Sequence, residues 1–246
     1  MLRLYHVLLS GILLVLVTLG IKVFSPNWFG SKELPRRSPT FSSSPSLTST
    51  DNLWKYLLNK TTTPAGWKVA ACDGNAPLMC VFANDKLIGS VEIGRYPLDK
   101  QQNFEKMLRQ VGIEPGQDAS YKDPQYETKV LTALNAWVSD LYSVLSKNSD
   151  SSSTKGDRVV FAPHPPQKVQ VGKLQGLSYG FTKFKSQGQV QEHHLGYVAF
   201  DGKALYIITT GFNGNSTLGK FSRLEDLTVF APYLAAIASH LRLVPR

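Results

Sequence analysis

Val190-Gln-Glu-His-His-Leu-Gly-Tyr-Val-Ala-Phe-Asp201-Gly202-Lys-Ala-Leu-Tyr-Ile-Ile-Thr-Thr210 is the stretch that decides the fold. Two runs dense in β-branched and aromatic residues flank an Asp-Gly pair, the strongest short hairpin signal in the chain, because a two-residue turn needs the positive φ that Asp and Gly tolerate. Upstream, Leu177, Tyr179, Phe181 and Lys183 alternate with Ser178, Gly180 and Thr182, and a Ser-Gln-Gly turn leads into Val190. Downstream, Leu227, Phe230, Leu234, Ile237 and Leu241 recur at helical spacing, with Pro232 expected to start or kink that helix. The last third therefore reads as three consecutive antiparallel strands closed by an amphipathic helix.

Further toward the N-terminus the pattern repeats. Trp67, Val69 and Ala71 alternate, Gly74-Asn75-Ala76-Pro77 turns, and Leu78 to Ala83 returns; Asn84-Asp85-Lys86 turns again into Leu87 to Ile93. Asp51 is placed to cap a short helix carrying Leu53, Trp54, Leu57 and Leu58. Asp99 precedes Gln102 by three residues, a capping-box spacing, ahead of Phe104, Met107, Leu108 and Val111. Asp123-Pro124 opens a long helix from Pro124 to Lys147 whose stripe of Tyr126, Val130, Leu134, Trp137, Leu141 and Leu145 predicts core packing. Asn148 to Asp157 reads as a loop, and Ala162-Pro163-His164-Pro165-Pro166 as an extended polyproline II connector. The fold class is α+β: an antiparallel sheet with helices packed on it.

The Leu-Ser-Tyr-Gly-Phe-Thr strand, the hydrophilic turn, the run from His193-His194 to Thr210 and the closing helix resemble the PsbP-like family, extrinsic proteins of the photosynthetic membrane lumen. The resemblance covers Lys173 to Leu243 well and the stretch from Pro64-Ala-Gly-Trp67 loosely. It implies an α/β/α sandwich and a non-enzymatic partner of a membrane complex. Three features depart from the family: an apolar N-terminal segment, a cysteine pair, and the long helix from Pro124. Together they favour a divergent, membrane-attached relative.

Leu4 to Ile21 runs for 18 residues without a charge, between Arg3 and Lys22, which meets the length of a transmembrane helix. No Ala-x-Ala cleavage pattern follows, so residues 1–24 read as a retained single-pass anchor rather than a cleaved signal, with Trp28 and Phe29 suited to the interface. Residues 25–52, rich in Ser and Pro, read as a linker, and 53–246 as the domain. Lys22, Lys32, Arg36 and Arg37 follow the apolar run and by the positive-inside rule would hold the domain in the cytoplasm. Domains translocate largely regardless of such flanks, so the expected localisation is a membrane protein facing a thylakoid lumen or periplasm.

Composition narrows the classes further. The 246 residues are 42% hydrophobic, 11% aromatic and 18% charged, with net charge +9, values that exclude a disordered chain, and two cysteines exclude a disulfide scaffold. The excess is divided: residues 1–60 carry seven basic and two acidic side chains, residues 61–246 twenty and sixteen. Adjacent basic residues occur only at Arg36-Arg37, so a nucleic-acid partner is not expected.

Few residues offer chemistry. Cys72 and Cys80 stand symmetrically about Ala76 and would face each other across the first hairpin, in reach of a disulfide; the alternative is a pair of reduced core thiols. Glu192 and His194 share a strand face and are weak metal candidates, whereas His193 and His194 point to opposite faces and cannot bind one ion. Some PsbP-like proteins are associated with metal ions, but no ligand carries over. No Gly-x-Ser-x-Gly elbow or phosphate loop is present, so no catalytic residue and no cofactor are expected. The expected function is that of a non-enzymatic, membrane-anchored domain that binds and helps assemble or stabilise a photosynthetic membrane-protein complex. The alternative is a cell-envelope domain binding a small molecule at Tyr179, Tyr197 and Tyr206.

Overall fold

The computed structural model describes residues 52–115, 123–151, 159–213 and 219–243; the anchor, most of the linker and Asp51 lie outside them. Among the described residues no helix is long and apolar enough to cross a membrane. The elements run α1 (Trp54–Leu57), β1 (Trp67–Ala71), β2 (Leu78–Ala83), β3 (Lys86–Pro97), a 3₁₀ turn (Leu98–Lys100), α2 (Gln102–Gln110), α3 (Pro124–Ser151), β4 (Val160–Val171), β5 (Leu174–Phe184), β6 (Val190–Phe200), β7 (Ala204–Asn213) and α4 (Leu224–Ser239). Seven strands form one sheet in the order β1-β2-β3-β7-β6-β5-β4, and every adjacent pair is antiparallel. Two meanders, β1–β3 and β4–β7, are thus joined side by side through the β3–β7 pairing, where Ile93 lies opposite Ile208.

Strand alternation sends apolar residues to both faces of the sheet, and each face has its own core. On one side Met79, Val81, Val91, Ile93, Tyr197, Ala199 and Ile208 meet Leu227, Phe230, Leu234 and Ile237 of α4, with Trp54 and Leu57 of α1 in the same cluster. On the other, Leu177, Tyr179, Val198, Phe200 and Leu205 meet Phe104 and Leu108 of α2 and Val130, Leu134 and Trp137 of α3. That second core draws its strand residues from β5–β7, so the sandwich is three layers deep over half the sheet. The facing residues of β1 and β2 remain exposed or half-buried, as at Lys68, Ala70 and Phe82.

The hairpin turns at the Asp201-Gly202 pair, but only Gly202 takes a positive φ, and Asp201 N donates to Ala204 O to close the turn. Gly202 takes φ +93°, and Asp201 Oδ1 accepts from Lys203 N and Ala204 N, both at 2.7 Å. Asn84 and Asp85 adopt φ +48° and +61° in the β2–β3 turn, a left-handed pair that short polar side chains tolerate. Asp123 caps α3 by accepting from Gln125 N at 2.8 Å. Gly196 is required by packing, since a Cβ there would fall 2.3 Å from the Tyr179 ring.

Several expectations need correction. Ala162–Pro166 is not a connector but part of β4, an outermost strand of the sheet, the position where a missing proline N–H costs least. Asp99 sits in the 3₁₀ turn and does not cap α2, which begins at Gln102 with no side-chain cap. Pro232 does not start α4 but lies within it, the position from which a proline kinks a helix; burial of Leu227, Phe230 and Leu234 against the sheet outweighs the lost hydrogen bond. Residues 148–151 extend α3 rather than beginning a loop.

Cys72 and Cys80 form the disulfide, with Cα atoms 5.0 Å apart. Asn52, fully buried, ties the start of the domain to this hairpin: its Nδ2 donates to Cys72 O at 3.1 Å and Leu78 O at 2.5 Å, and its Oδ1 accepts from Trp54 N at 3.0 Å. Reducing this bond is expected to lower stability by about 2–3 kcal/mol on the chain-entropy scale, measured by urea denaturation with and without reductant. Gly196→Ala is expected to cost about 1–3 kcal/mol through overpacking against Tyr179; an unchanged urea midpoint would contradict the close approach.

Candidate functional site

The polar and titratable side chains of the sheet converge where β4, β5 and β6 run side by side. In register, Thr182 lies opposite His193 and Ala162, and His164 lies opposite Gly180. The buried Thr182 hydroxyl therefore sits between two imidazoles, 3.0 Å from His164 Nε2 and 2.9 Å from His193 Nδ1. One hydroxyl has one proton, so if it donates to one ring nitrogen, the other ring must donate to the oxygen. The ring centroids are 5.3 Å apart. Burial holds His164 below the usual histidine range; burial, reinforced by His164, does the same to His193.

The opposite face carries a ladder of rings. Tyr142 of α3 meets Phe161 edge-on at 6.2 Å, Phe161 lies 5.1 Å from Phe181, and Phe181 stacks on His194 at 5.0 Å with a 10° interplanar angle. At the bulge between His164 and Gln167, the Tyr142 hydroxyl donates to His164 O at 2.8 Å and accepts from Gly180 N at 2.9 Å, substituting for ladder hydrogen bonds. His194 is pushed down to about 4, chiefly by burial; Glu192 opposes the shift, and Lys220, His193 and Lys183 add to it.

His193 and His194 accordingly occupy opposite faces, while Glu192 and His194 share one, as strand alternation requires. Glu192 is committed elsewhere: Lys183 Nζ lies 3.1 Å from its Oε2 and Lys220 Nζ 3.6 Å from its Oε1, with all three side chains largely shielded. Two ammonium groups on one carboxylate make it a poor ligand for a third cation. Among the described residues no group of three or more His, Cys, Asp or Glu is placed to hold a metal ion. The proposed tyrosine pocket also dissolves, because Tyr179 belongs to the α2–α3 core and Tyr197 to the α4 core. Tyr206 shares the β7 face of Ile208 and is occupied by Arg95 Nε at 3.2 Å and Asp201 Oδ2 at 3.2 Å.

Sequence reasoning singled out His193, His194 and Glu192 but missed Thr182, Tyr142 and the role of His164. The signal for His164 was present in its spacing from Ala162 on one strand face, and it was obscured by reading Pro163 and Pro165 as a connector.

No protein-family model matches the chain, and no curated protein matches it. Among solved structures it is similar to the solution structure of cyanobacterial PsbP (CyanoP) from Synechocystis sp. PCC 6803, at 10% identity and TM-score 0.36 over 75% of this chain and 85% of that one. Overlap at that score is too loose to carry an argument, and the fold described above rests on its own strands and helices.

The histidines make stability depend on pH. Their folded-state proton affinity lies below the ordinary value of 6.5, so the unfolded chain binds more protons in acid, and stability falls as protons bind. For His194 the loss begins as pH drops through about 6.5 and is complete below about 4. The urea midpoint is expected to decline across that window, and His194→Gln to flatten the decline; a wild-type midpoint constant between those values would contradict the assignment.

Proposed function

We propose that this chain is a non-enzymatic, membrane-anchored domain that works outside the cytoplasm and binds a membrane-protein complex, helping to assemble or stabilise it. The Cys72–Cys80 disulfide carries the reading, because such bonds persist in oxidising compartments and are rare in reducing ones. The apolar run Leu4–Ile21 supplies the attachment, and the Ser/Pro-rich stretch of residues 25–52 the reach. Attachment to the bilayer raises the effective concentration of the domain near its partner, so modest contacts suffice.

The side chains with chemical potential are engaged with one another, which suits a binding role better than turnover. Glu192 is held by two lysines, and His164 and His193 share one hydroxyl. The class of partner comes from the sequence resemblance to PsbP-like extrinsic proteins, which makes a photosynthetic complex facing a thylakoid lumen or periplasm the first candidate.

A tagged full-length chain solubilised from native membranes in mild detergent is expected to carry subunits of one membrane complex with it, in fixed proportion across two detergents. Its cysteines are expected to resist alkylation until reductant is added. Recovery of the chain alone, or cysteines that alkylate without reductant, would overturn the reading.

A further inference from the structure

Three segments meet where the chain enters the domain. Arg242 N donates to Leu57 O at 2.9 Å, and Arg242 Nη2 to Asn59 Oδ1 at 2.5 Å, binding the C-terminal segment to the turn after α1. Gly172 N donates to Ala238 O at 2.8 Å, and a Cβ on Gly172 would fall 2.7 Å from Leu241 O, so the β4–β5 turn lies against the end of α4. The segments 52–60, 169–175 and 236–243 contain Lys55, Lys60, Lys173 and Arg242 and no Asp or Glu. All four cations are exposed, as is Tyr56. Asp73, in the hairpin turn beside Asn52, is the one acidic residue of the adjoining segment 72–78.

Elsewhere exposed cations are of two kinds: Lys86, Lys106, Lys147, Lys185 and Lys203 stand singly on other elements without an ion pair among the described residues, and others are paired. Lys68 pairs with Asp85, Arg109 with Glu105, Lys168 with Glu127 and Arg223 with Glu225, and Lys183 and Lys220 share Glu192. Lys55, Lys60, Lys173 and Arg242 form no ion pair with a carboxylate among the described residues.

We propose that the face formed where these three segments meet rests on an anionic bilayer surface. The occupant follows from two features. The chain reaches this face at Asn52, and only the 30 residues 22–51 separate it from the apolar run Leu4–Ile21, so the face is the part of the domain attached most directly to the membrane segment. Four cations without a carboxylate partner among the described residues, together with the exposed Tyr56, then meet the chemistry of a lipid headgroup layer, where phosphates attract ammonium and guanidinium groups and an amphipathic ring sits at the interface. Screening confines the attraction to about 10 Å at ordinary ionic strength, and only a face held at the membrane profits from it. The inference rests on the membrane reading above and adds the orientation of the domain.

The test reconstitutes the full-length chain into vesicles of phosphatidylcholine alone, or of phosphatidylcholine with phosphatidylglycerol, and acetylates exposed lysines with a membrane-impermeant amine reagent. Mass spectrometry then reads each site. Lys55, Lys60 and Lys173 are expected to react about threefold or more slowly on the anionic vesicles and to recover in high salt, as screening requires. Lys106 on α2 and Lys147 on α3 are expected to react equally on both. A chain that withstands an alkaline wash with its vesicles yet shows equal rates at the three lysines overturns this face and leaves the anchor standing. A chain removed by the wash overturns the membrane reading, and this inference with it.

Discussion

Strand β6 sends Val198 and Phe200 to one side of the sheet and Tyr197 and Ala199 to the other, and water is excluded from both. A strand apolar on both faces cannot sit in a two-layer fold, because one set of side chains would remain solvated at a cost of about 25 cal/mol for every Å² left exposed. Helices must therefore cover both sides of β5–β7, and the order of elements provides them: α2 and α3 precede this meander and α4 follows it. The first meander has no such requirement. β1 alternates between half-buried and exposed positions and β2 largely between buried and half-buried ones, and helices α2 and α3 leave their outer face open.

The same alternation explains what could be read from the residues and what could not. The strands on either side of Asp201-Gly202 are local objects, with a period of two and a turn whose chemistry is written in two residues, and they formed where expected. Cys72 and Cys80 were legible for the same reason, since their symmetry about Ala76 is a property of one hairpin. The adjacency of β3 and β7 is different. It joins residues more than a hundred positions apart, such as Ile93 and Ile208, and no local pattern encodes it. Pro163, Pro165 and Pro166 argued against a strand because a central strand cannot lose its donors; only knowledge that β4 is outermost removes the objection.

Caps proved less legible than cores. Asp99 had the spacing of a capping box, yet the chain leaves β3 at Pro97 and tightens into a 3₁₀ turn, so α2 starts only at Gln102. Asn52 Oδ1 accepts from Trp54 N at the start of α1, and its Nδ2 also satisfies two carbonyls of the disulfide hairpin. A buried polar side chain with three partners is costly to lose. Its position couples the point where the chain enters the domain to the covalent lock on β1 and β2.

The placement of His193 and His194 was readable from strand period alone, but their surroundings depend on which strand lies beside them. His194 faces an aromatic ladder and is kept neutral by burial, whereas His193 shares a hydroxyl with His164 from a strand two places away in the sheet. These neighbours turn two consecutive histidines into sites of different kinds. Protonating His194 places a charge against Phe181 with Lys183 and Lys220 already nearby, so it weakens packing directly. Protonating His193 or His164 obliges that ring to donate to Thr182, and the hydroxyl proton must then turn to the other imidazole or leave the chain of hydrogen bonds. The first response is a loss of stability and the second a rearrangement of donors. The two responses differ because His194 stacks on an aromatic ring among cations, whereas His193 and His164 meet across one hydroxyl.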